Sequence, residues 1–253
     1  AGLAGVGDRA TELLGAAPVE GLGVLIRRDP AWGATEMLAA LGHPDVVTVE
    51  RESVDVELLR ALADHCPVYP DPNAVAKLQH RLQEKDLVAS LGLDTAPYRG
   101  ACANEQVAAA AQEIGLPVVV KSCRDGYDGR GQYRIESQQD LLEFSRQQSH
   151  GEWLVEQKIA FDREISLLAV RSCNGEVAFY PATENRHQDG VLVSSLAPAN
   201  ALPESMQALG ENYLRALLQE LDYVGVLAME CFVAGDRLLI NELAPRVHNS
   251  GHW

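Results

Sequence analysis

The 253-residue sequence contains no CxxC pair, although it has five cysteines. Closely paired cysteines are the usual signature of zinc sites and of disulfide frameworks, so neither is expected here. Scattered thiols instead fit the reducing cytoplasm. The sequence also lacks an apolar run approaching the roughly 20 residues of a membrane span, and it does not open with a charged segment followed by an apolar one. We therefore expect neither a membrane partner nor a targeting segment.

Positive charge is also scarce. Lys and Arg total 21 against 36 Asp and Glu, which gives a formal net charge of −15. Such an acidic chain is not expected to bind nucleic acid. A small anionic substrate remains possible, because a few basic residues in one cleft decide the local potential. The length exceeds the usual size of a single domain, so two or three lobes are expected.

The pattern G-x-x-x-x-G-K-[ST] is absent, which excludes a P-loop nucleotide site. A different glycine-rich stretch, VVVKSCRDGYDGRGQYRI at residues 118–135, places Gly126, Gly129 and Gly131 after a predicted strand that ends at Lys121. A hairpin tip of this kind can lay backbone N–H groups over phosphates, and Lys121 can reach the same anion. A merely mobile β-turn is the alternative.

The order of predicted elements divides the chain into residues 1–76, 77–157 and 158–253. The first part alternates short apolar strands with helical stretches, which is typical of a partial Rossmann-like βαβ lobe. GVGDRA at residues 5–10 matches the loose glycine pattern of that fold, although an ordinary tight turn explains it more simply. The predicted elements are Leu22–Ile26, Ala34–Leu41, Val46–Glu50 and Val54–Asp64.

The other two parts are predicted to have α+β architecture. A linker with one helix, flanked by prolines and ending at Gly92, leads into the second part. The elements predicted there are the helices Asn104–Ile114 and Ser137–Gln147 and the strands Val118–Lys121 and Trp153–Glu156. Those predicted in the third part are strands near Glu164–Val170, Glu176–Pro181 and Gly190–Leu196, a helix from Pro203, and a hairpin turned by Ala234, Gly235 and Asp236.

Two glutamates fall on the arms of this last hairpin. With the turn centred near Gly235, the parity of Glu230 and Glu242 predicts both carboxylates on one face as near-diagonal neighbours. Carboxylates together with substrate phosphates are common ligands of Mg²⁺. Glu230 lies within the apolar stretch LAMECF, where a solvated charge is not expected. A magnesium site is therefore favoured over the alternative, an ion pair with Arg246.

Polar residues follow the hairpin in APRVHNSGHW. Its two histidines are four residues apart, but the glutamate of the zinc motif H-E-x-x-H is missing, so zinc is not expected. Arg246, His248 and Asn249 are instead suited to holding a carboxylate or phosphate. Asn185 and His187 in TENRHQDG carry a weaker signal of the same kind. A structural loop whose polar groups are satisfied is the alternative for each of them.

Together these stretches resemble one family. Lys121, YDGRGQ, VEQKI, REISL, HQDG, YVGVLAMECF and NELAPRVHNSGHW are similar to the 5-(carboxyamino)imidazole ribonucleotide synthases of purine biosynthesis, which are ATP-grasp ligases. The similarity covers most of the chain from about Asp45 onward. HNSGH beside YDGRGQ distinguishes this family from other ATP-grasp ligases. The implied architecture is an ATP-grasp fold preceded by the partial Rossmann-like lobe.

The resemblance implies carboxylation of 5-aminoimidazole ribonucleotide by bicarbonate through carboxyphosphate, with ATP and Mg²⁺, in a cytoplasmic homodimer. The implied nucleotide-binding residues are Lys85, Lys121, Glu156, Gln157, Lys158, Ile159, Glu164, His187, Gly126, Gly129 and Gly131. The implied magnesium ligands are Glu230 and Glu242. The implied substrate-binding residues are Tyr127, Asp128, Arg130, His248 and Asn249, with catalytic roles for Arg246, Asp128 and His248. The glycine-rich loop then acts as a lid that excludes water.

Three differences from the family keep other functions open. Asp8 stands in the N-terminal turn, Asp125 adds negative charge to the glycine-rich loop, and the family's C-terminal lobe does not follow Trp253. We expect the last difference to mean that the sequence is a fragment. The alternatives are an ATP-grasp ligase with another acceptor and a nucleotide-binding module without turnover.

Overall fold

The structure, a computed structural model, describes residues 33–124, 131–147, 151–188 and 191–252. These residues form a small N-terminal lobe and two larger antiparallel sheets. The predicted strand Leu22–Ile26 and the turn at residues 5–10 lie outside the described residues.

The N-terminal lobe contains two short parallel strands. β1 (Val47–Thr48) pairs with β2 (Val68–Tyr69), and α2 (Val56–Ala63) connects them. Parallel neighbours need a crossover connection, which is why a helix stands between them, as the βαβ alternation predicts. α1 (Ala34–Ala40) precedes β1, and the carboxylate of Asp55 caps α2.

The linker contains two helices, so the prediction of one helix is wrong. α3 (Pro72–Leu78) starts with a proline behind the capping residue Asp71, and α4 (Arg81–Ser90) follows after a break. His80 makes that break by adopting an extended backbone and accepting a hydrogen bond from the N–H of Gln83 at 3.4 Å. α4 thereby starts as a separate helix that can pack against both sheets.

The smaller sheet has four antiparallel strands in the order β3-β6-β4-β5. Its elements are β3 (Tyr98–Ala101), α5 (Asn104–Ile114), β4 (Val118–Ser122), β5 (Gln132–Ile135), α6 (Gln138–Gln147) and β6 (Trp153–Gln157). The two helices bury Val107 and Phe144 against the sheet, where Phe144 meets Trp153 edge to face at 5.3 Å. β4 and β5 lead into and out of the glycine-rich loop, whose residues 125–130 lie outside the described part.

The larger sheet has six strands in the order β10-β9-β7-β11-β12, with β8 paired to β7. Its elements are β7 (Arg163–Arg171), β8 (Val177–Phe179), β9 (Thr183–Gln188), β10 (Val191–Leu196), α7 (Glu204–Glu220), β11 (Gly225–Ala234) and β12 (Arg237–Ala244). A short 3₁₀ helix, Asn249–Gly251, follows. β9 was not predicted, because its sequence TENRHQ is polar. The final hairpin turns at Gly235 and Asp236 alone.

The two faces of the larger sheet differ in chemistry. On one face, α7 buries Leu214 and Leu217 against the apolar residues of the strands. α7 approaches closely at Gly210, where a Cβ atom would lie 2.4 Å from the Cδ2 atom of Leu167. The opposite face carries an apolar patch, Leu168, Ala228 and Ala244, but also the polar side chains of Glu164, Ser166 and Glu230. A polar sheet face that is not covered by a helix is where a binding site is expected.

Among the helices that the structure describes, none combines the length and apolar character that a membrane crossing requires.

Candidate active site

The two glutamates of the final hairpin lie on the polar face of the larger sheet. Glu230 on β11 and Glu242 on β12 are direct cross-strand partners, not near-diagonal ones as predicted. Ala228 and Ala244, the cross-strand partners two residues further along, belong to the apolar patch of the same face. The shared face is therefore as predicted. The reason for it is different.

A β-bulge at Asn241 brings Glu242 onto this face. From the turn to Cys231, which pairs with Ile240, the register is regular. Continued without interruption, it would pair Glu230 with Asn241 and turn Glu242 to the opposite face, because side chains alternate along a strand. The register instead shifts by one residue between Cys231 and Glu230. The extra residue reverses the alternation, as bulges do.

Each glutamate has a cationic or polar neighbour. Arg81 Nη1 of α4 lies 2.8 Å from Glu242 Oε2, and His248 Nε2 lies 3.0 Å from Glu230 Oε1. The His248 ring is fixed from its other side by Ser250 Oγ at 2.7 Å from Nδ1. The glutamate side chains keep 32% and 28% of their surface exposed, so both can still be reached from the cleft. Arg81 was not identified from the sequence, although it lies one helical turn before Lys85.

The residues present fit a divalent cation. Two hard carboxylates face the same side on adjacent strands. Within the described part of the chain, no three His, Cys, Asp or Glu side chains converge on one point. The remaining ligands would therefore come from phosphate and water, which is the usual arrangement for Mg²⁺ at nucleotide sites.

Two lysines share one buried carboxylate beside this pair. Lys121 Nζ at the end of β4 contacts Glu156 Oε1, and Lys85 Nζ of α4 lies 3.3 Å from Glu156 Oε2. Burial raises the pKa of Glu156, but the charges of Lys121 and Lys85 outweigh it and lower that pKa to about 2. Lys121 Nζ also donates to Asn241 Oδ1 at 3.0 Å, which joins the smaller sheet to the bulge of the larger one.

Lys85 is enclosed within the protein. Only 2% of its side chain is exposed, and its ammonium group also donates to Thr95 Oγ1 at 2.8 Å and to the Ile240 carbonyl at 3.0 Å. The ammonium group thus makes two hydrogen bonds and one ion pair inside the protein. In this structure Lys85 contacts Glu156 and β12, not the open cleft.

A second carboxyl group of α4 lies behind Glu242. Glu84 is only 2% exposed. Burial, and after it the charge of Glu242, raise the pKa of Glu84 to about 8 despite nearby Lys85 and Arg81. Glu84 was not identified from the sequence, because a single glutamate in a charged helix carries no signal of burial.

The N-terminal lobe contributes an acid to the site. Glu52 Oε1 lies 2.7 Å from Arg246 Nη2. Burial raises the pKa of Glu52, while Arg246 opposes this effect. Arg246 is thus paired with Glu52, whereas Glu242 is paired with Arg81 and Glu230 with His248. The alternative of an ion pair between the hairpin glutamates and Arg246 is therefore not what the structure shows. Nothing in the sequence around Glu52 pointed to a contact with residue 246.

The motif HNSGH folds onto the polar face as the 3₁₀ helix. Its Gly251 packs against β7, where a Cβ atom would lie 2.4 Å from Leu168 Cδ2. The Ser250 carbonyl accepts a hydrogen bond from Thr183 Oγ1 at 3.2 Å. This close packing fixes His248 next to Glu230. Asn249 remains exposed.

A histidine–carboxylate pair occupies the far side of the same face. His187 Nδ1 on β9 contacts Glu164 Oε2 on β7. The neighbouring Asn185 donates to Ser166 Oγ at 2.6 Å and accepts from Ser195 Oγ at 2.8 Å. β9 is polar because these side chains belong to the polar face, which explains why a search for apolar strands missed it.

Some of the remaining predicted residues are described by the structure, and the others lie outside the described ranges. Lys158 directly follows β6, and its Nζ atom lies 2.5 Å from Oε1 of the exposed Glu136. The N–H of Gln157 donates to Pro97 O at 2.8 Å, and Ile159 follows β6 as partly exposed chain. Gly131 is described, with a φ of 70° that favours glycine. The predicted residues outside the described ranges are Gly126, Tyr127, Asp128, Gly129 and Arg130, together with Asp8 and Asp125.

Surface shape alone does not reveal this site. A depression of about 740 Å³ lies between α4 and β3, and one of about 320 Å³ lies near Pro203. Neither is lined by Glu230 or Glu242. The charged groups that phosphate chemistry needs come together instead at the facing carboxylates and the buried lysines.

The His187–Glu164 pair gives a testable prediction. The hydrogen bond to Glu164 raises the pKa of His187, and partial burial opposes it only in part. Protonated His187 should therefore stabilise the fold below its unfolded pKa of 6.5, and this contribution should be lost as the pH rises through its raised pKa. An NMR titration should give a pKa above 6.5 that falls in E164Q. E184Q, which alters the neighbouring Glu184–Arg163 pair, should leave it unchanged; an unshifted pKa in E164Q would contradict the assignment.

The chain is similar to known proteins in both sequence and structure. Residues 86–253 match the ATP-grasp domain family. The chain is 44% identical over 211 residues to the N5-carboxyaminoimidazole ribonucleotide synthase of Escherichia coli K12, covering 82% of this chain and 58% of that protein. The chain thus spans little more than half the length of this relative.

Solved structures give the same result. The N5-carboxyaminoimidazole ribonucleotide synthetase of Thermus thermophilus has a TM-score of 0.79 and 42% identity, covering 87% of this chain and 59% of that one. The synthase of Aspergillus clavatus, solved with ADP and 5-aminoimidazole ribonucleotide, has a TM-score of 0.77 and 27% identity, covering 86% of this chain and 57% of that one. The ATP-grasp match extends over well over half of the residues. The chain therefore belongs to the ATP-grasp family.

Proposed function

We propose that the protein is an ATP-grasp ligase that carboxylates 5-aminoimidazole ribonucleotide with bicarbonate, forming 5-(carboxyamino)imidazole ribonucleotide, ADP and phosphate. The observation that carries this proposal is the pair Glu230 and Glu242 on one face, with Lys121 beside it and Arg246 and His248 next along the chain. The names of the relatives support the same reaction.

The reaction needs concentrated positive charge. A bicarbonate oxygen attacks the γ-phosphorus and ADP leaves; the substrate amine then attacks the carbonyl carbon of carboxyphosphate and phosphate leaves. The phosphates repel bicarbonate, so neutralising and aligning them is the main task of the protein. Glu230 and Glu242 would hold Mg²⁺, which when bound supplies charge neutralisation. Lys121 would contact the phosphates and Arg246 the carboxyphosphate.

Lys85 has a different role in this proposal. Because Lys85 is buried, hydrogen-bonded to Thr95 and β12 and ion-paired with Glu156, we assign to it the positioning of Glu156 and not direct phosphate binding. Glu156 in turn holds Lys121 through their ion pair.

The nucleoside end of ATP would lie at the end of β6 and at the pair Glu164 and His187. Residues 156–159 would form the adenine hinge, and Glu164 would accept from the ribose hydroxyls. The glycine-rich loop, with Tyr127, Asp128 and Arg130, would close over both substrates and exclude water from the acyl phosphate.

The proposal includes the organisation of the chain. We assign residues 1–76 to a Rossmann-like lobe, 77–157 to the linker and smaller sheet, and 158–253 to the larger sheet. We further propose that the protein is cytoplasmic, in keeping with five free cysteines of which three are buried. We also propose that it forms a homodimer. Size-exclusion chromatography with light scattering tests the dimer.

The test is coupled ADP release together with incorporation of ¹³C-bicarbonate into the product. ADP release that requires both 5-aminoimidazole ribonucleotide and bicarbonate supports the proposal. Release that requires formate or another amine instead would assign a different acceptor. Binding of Mg·ATP with no ADP release under any of these conditions would favour a module without turnover.

A further inference from the structure

The turn that follows β1 carries a residue of the candidate site. β1 ends at Thr48, and the chain turns at Glu52 and Ser53 before α2 begins. Ligands of open α/β sheets usually lie beyond the carboxyl ends of parallel strands, and this turn is at such an end. From it the carboxylate of Glu52 reaches Arg246, which stands two residues after β12.

Gln79 fixes this turn to the linker. It caps the C-terminal end of α3, and its side-chain nitrogen Nε2 donates to the Glu52 carbonyl at 2.6 Å and to the Val54 carbonyl at 2.7 Å. An amide nitrogen has two N–H groups, so both are used here. Because both partners are carbonyl oxygens, only the nitrogen end of the amide fits at this position. The two hydrogen bonds hold the backbone of the turn on either side of Ser53.

The guanidinium group of Arg246 is held at two points. Nη2 lies 2.7 Å from Glu52 Oε1, and Nη1 donates to the Val247 carbonyl at 2.8 Å. The side chains of Arg246 and Glu52 are 25% and 31% exposed, so the pair can be reached from solvent. A free arginine side chain has many rotamers, and fixing it in advance removes an entropic cost from the reaction.

The geometry points to Gln79 as a positioning residue that acts through Glu52 to hold the guanidinium group of Arg246 in one orientation. This inference rests on the proposed function for the statement that Arg246 contacts carboxyphosphate. It does not rest on it for the contacts that lead from Gln79 to Arg246. Without N–H donors at position 79, the carbonyls of the turn lose their partners and the turn relaxes. The Glu52 carboxylate then moves away from Arg246, and the guanidinium group rotates more freely.

Q79M tests this role, because methionine is similar in length to glutamine but has no N–H donor. We expect the Arg246 guanidinium group to rotate about its Cζ–Nε bond about tenfold faster in Q79M, the factor that corresponds to losing one typical hydrogen bond. NMR without nucleotide measures this rotation. The kcat of bicarbonate-dependent ADP release should fall about tenfold. The Kd of Mg·ADP should be unchanged, because Arg246 is assigned to carboxyphosphate.

The double variant E52Q/Q79M tests whether Gln79 acts through Glu52. E52Q already removes the carboxylate of the ion pair with Arg246. Adding Q79M should therefore change neither the rotation rate nor the kcat any further.

L59A is the matched control. Leu59 lies on α2 in the core of the same lobe and is 2% exposed, so its truncation destabilises the lobe by leaving a cavity. Its melting temperature should fall at least as far as that of Q79M, while the Arg246 rotation rate and the kcat stay unchanged.

Three results would overturn the inference: unchanged Arg246 rotation in Q79M, equal acceleration in Q79M and L59A, or further acceleration when Q79M is added to E52Q. If Q79M does not fold, the unmodified protein still decides the matter, because NMR couplings across the hydrogen bonds must link Gln79 Nε2 to the carbonyl carbons of Glu52 and Val54. Their absence contradicts the inference.

The same measurements separate this inference from the proposed function. Rotation and couplings are measured without turnover, so they remain readable if the proposed reaction fails. Faster rotation in Q79M with an unchanged kcat would support the role of Gln79 and contradict the contact assigned between Arg246 and carboxyphosphate.

Discussion

Replacing Glu242 by glutamine is expected to reduce Mg²⁺-dependent ADP release by ~100- to 1,000-fold, the range for losing one preorganised electrostatic group at a reaction centre. The amide has nearly the same shape, but it carries no charge to offer a metal and leaves Arg81 without its carboxylate partner at 2.8 Å. Steady-state ADP release across a Mg²⁺ titration measures the effect, and Mg·ADP binding measures the metal contribution separately.

E220Q is the matched control for this variant. Glu220 is exposed at the end of α7, so its substitution removes the same charge far from the cleft. It should keep the activity and Mg²⁺ requirement of the unmodified protein. If E242Q also kept its Mg²⁺ requirement and rate, the metal assignment to the hairpin would be wrong.

Replacing Glu156 by glutamine is expected to lower the free energy of unfolding by about 3–5 kcal/mol, the cost of removing one partner from a buried ion pair. The variant leaves the ammonium groups of Lys85 and Lys121 close together with no carboxylate between them. Urea denaturation without nucleotide measures the loss. Added nucleotide should recover part of it, since its phosphates can take the place of the missing charge.

E136Q provides the comparison, since Glu136 and Lys158 form a Glu–Lys pair of the same type that is 53% and 40% exposed. The free energy of unfolding of E136Q should differ from that of the unmodified protein by no more than about 1 kcal/mol, as for exposed ion pairs in general. Equal losses in the two variants would contradict the burial argument.

The pH dependence gives an independent check on Glu156. Its pKa of about 2 in the folded protein lies below the usual 4.5. Its contribution to the free energy of unfolding is therefore present above pH 4.5 and is lost as the pH falls toward 2. Acid unfolding should therefore be shallower in E156Q over this interval. The same slope in both proteins would show that Glu156 keeps an ordinary pKa.

The sequence was sufficient for those parts of the site in which local pattern and chemistry agree. Glu230 was found because a charge inside an apolar strand needs a partner, and Lys121 because it ends a strand before a glycine-rich loop. The helices Asn104–Ile114 and Ser137–Gln147 were found to within one residue, since their apolar periodicity is strong. Each of these signals lies within a few consecutive residues.

The rest depends on contacts between distant parts of the chain. Glu52 meets Arg246, and Arg81 meets Glu242, across separations that leave no trace in the local sequence. The break at His80 was missed because the helical pattern continues across it. The six residues of β9 escaped because strands are sought by apolar alternation, whereas the side chains of β9 face the site.

The single extra residue at Asn241 limits how this ribbon can change in length. A deletion of Asn241 would remove the bulge and place Glu242 directly opposite Glu230 in the regular register, so the carboxylate would keep its face. Related proteins that join the two carboxylates through a regular arm should therefore be one residue shorter between the turn and the second carboxylate.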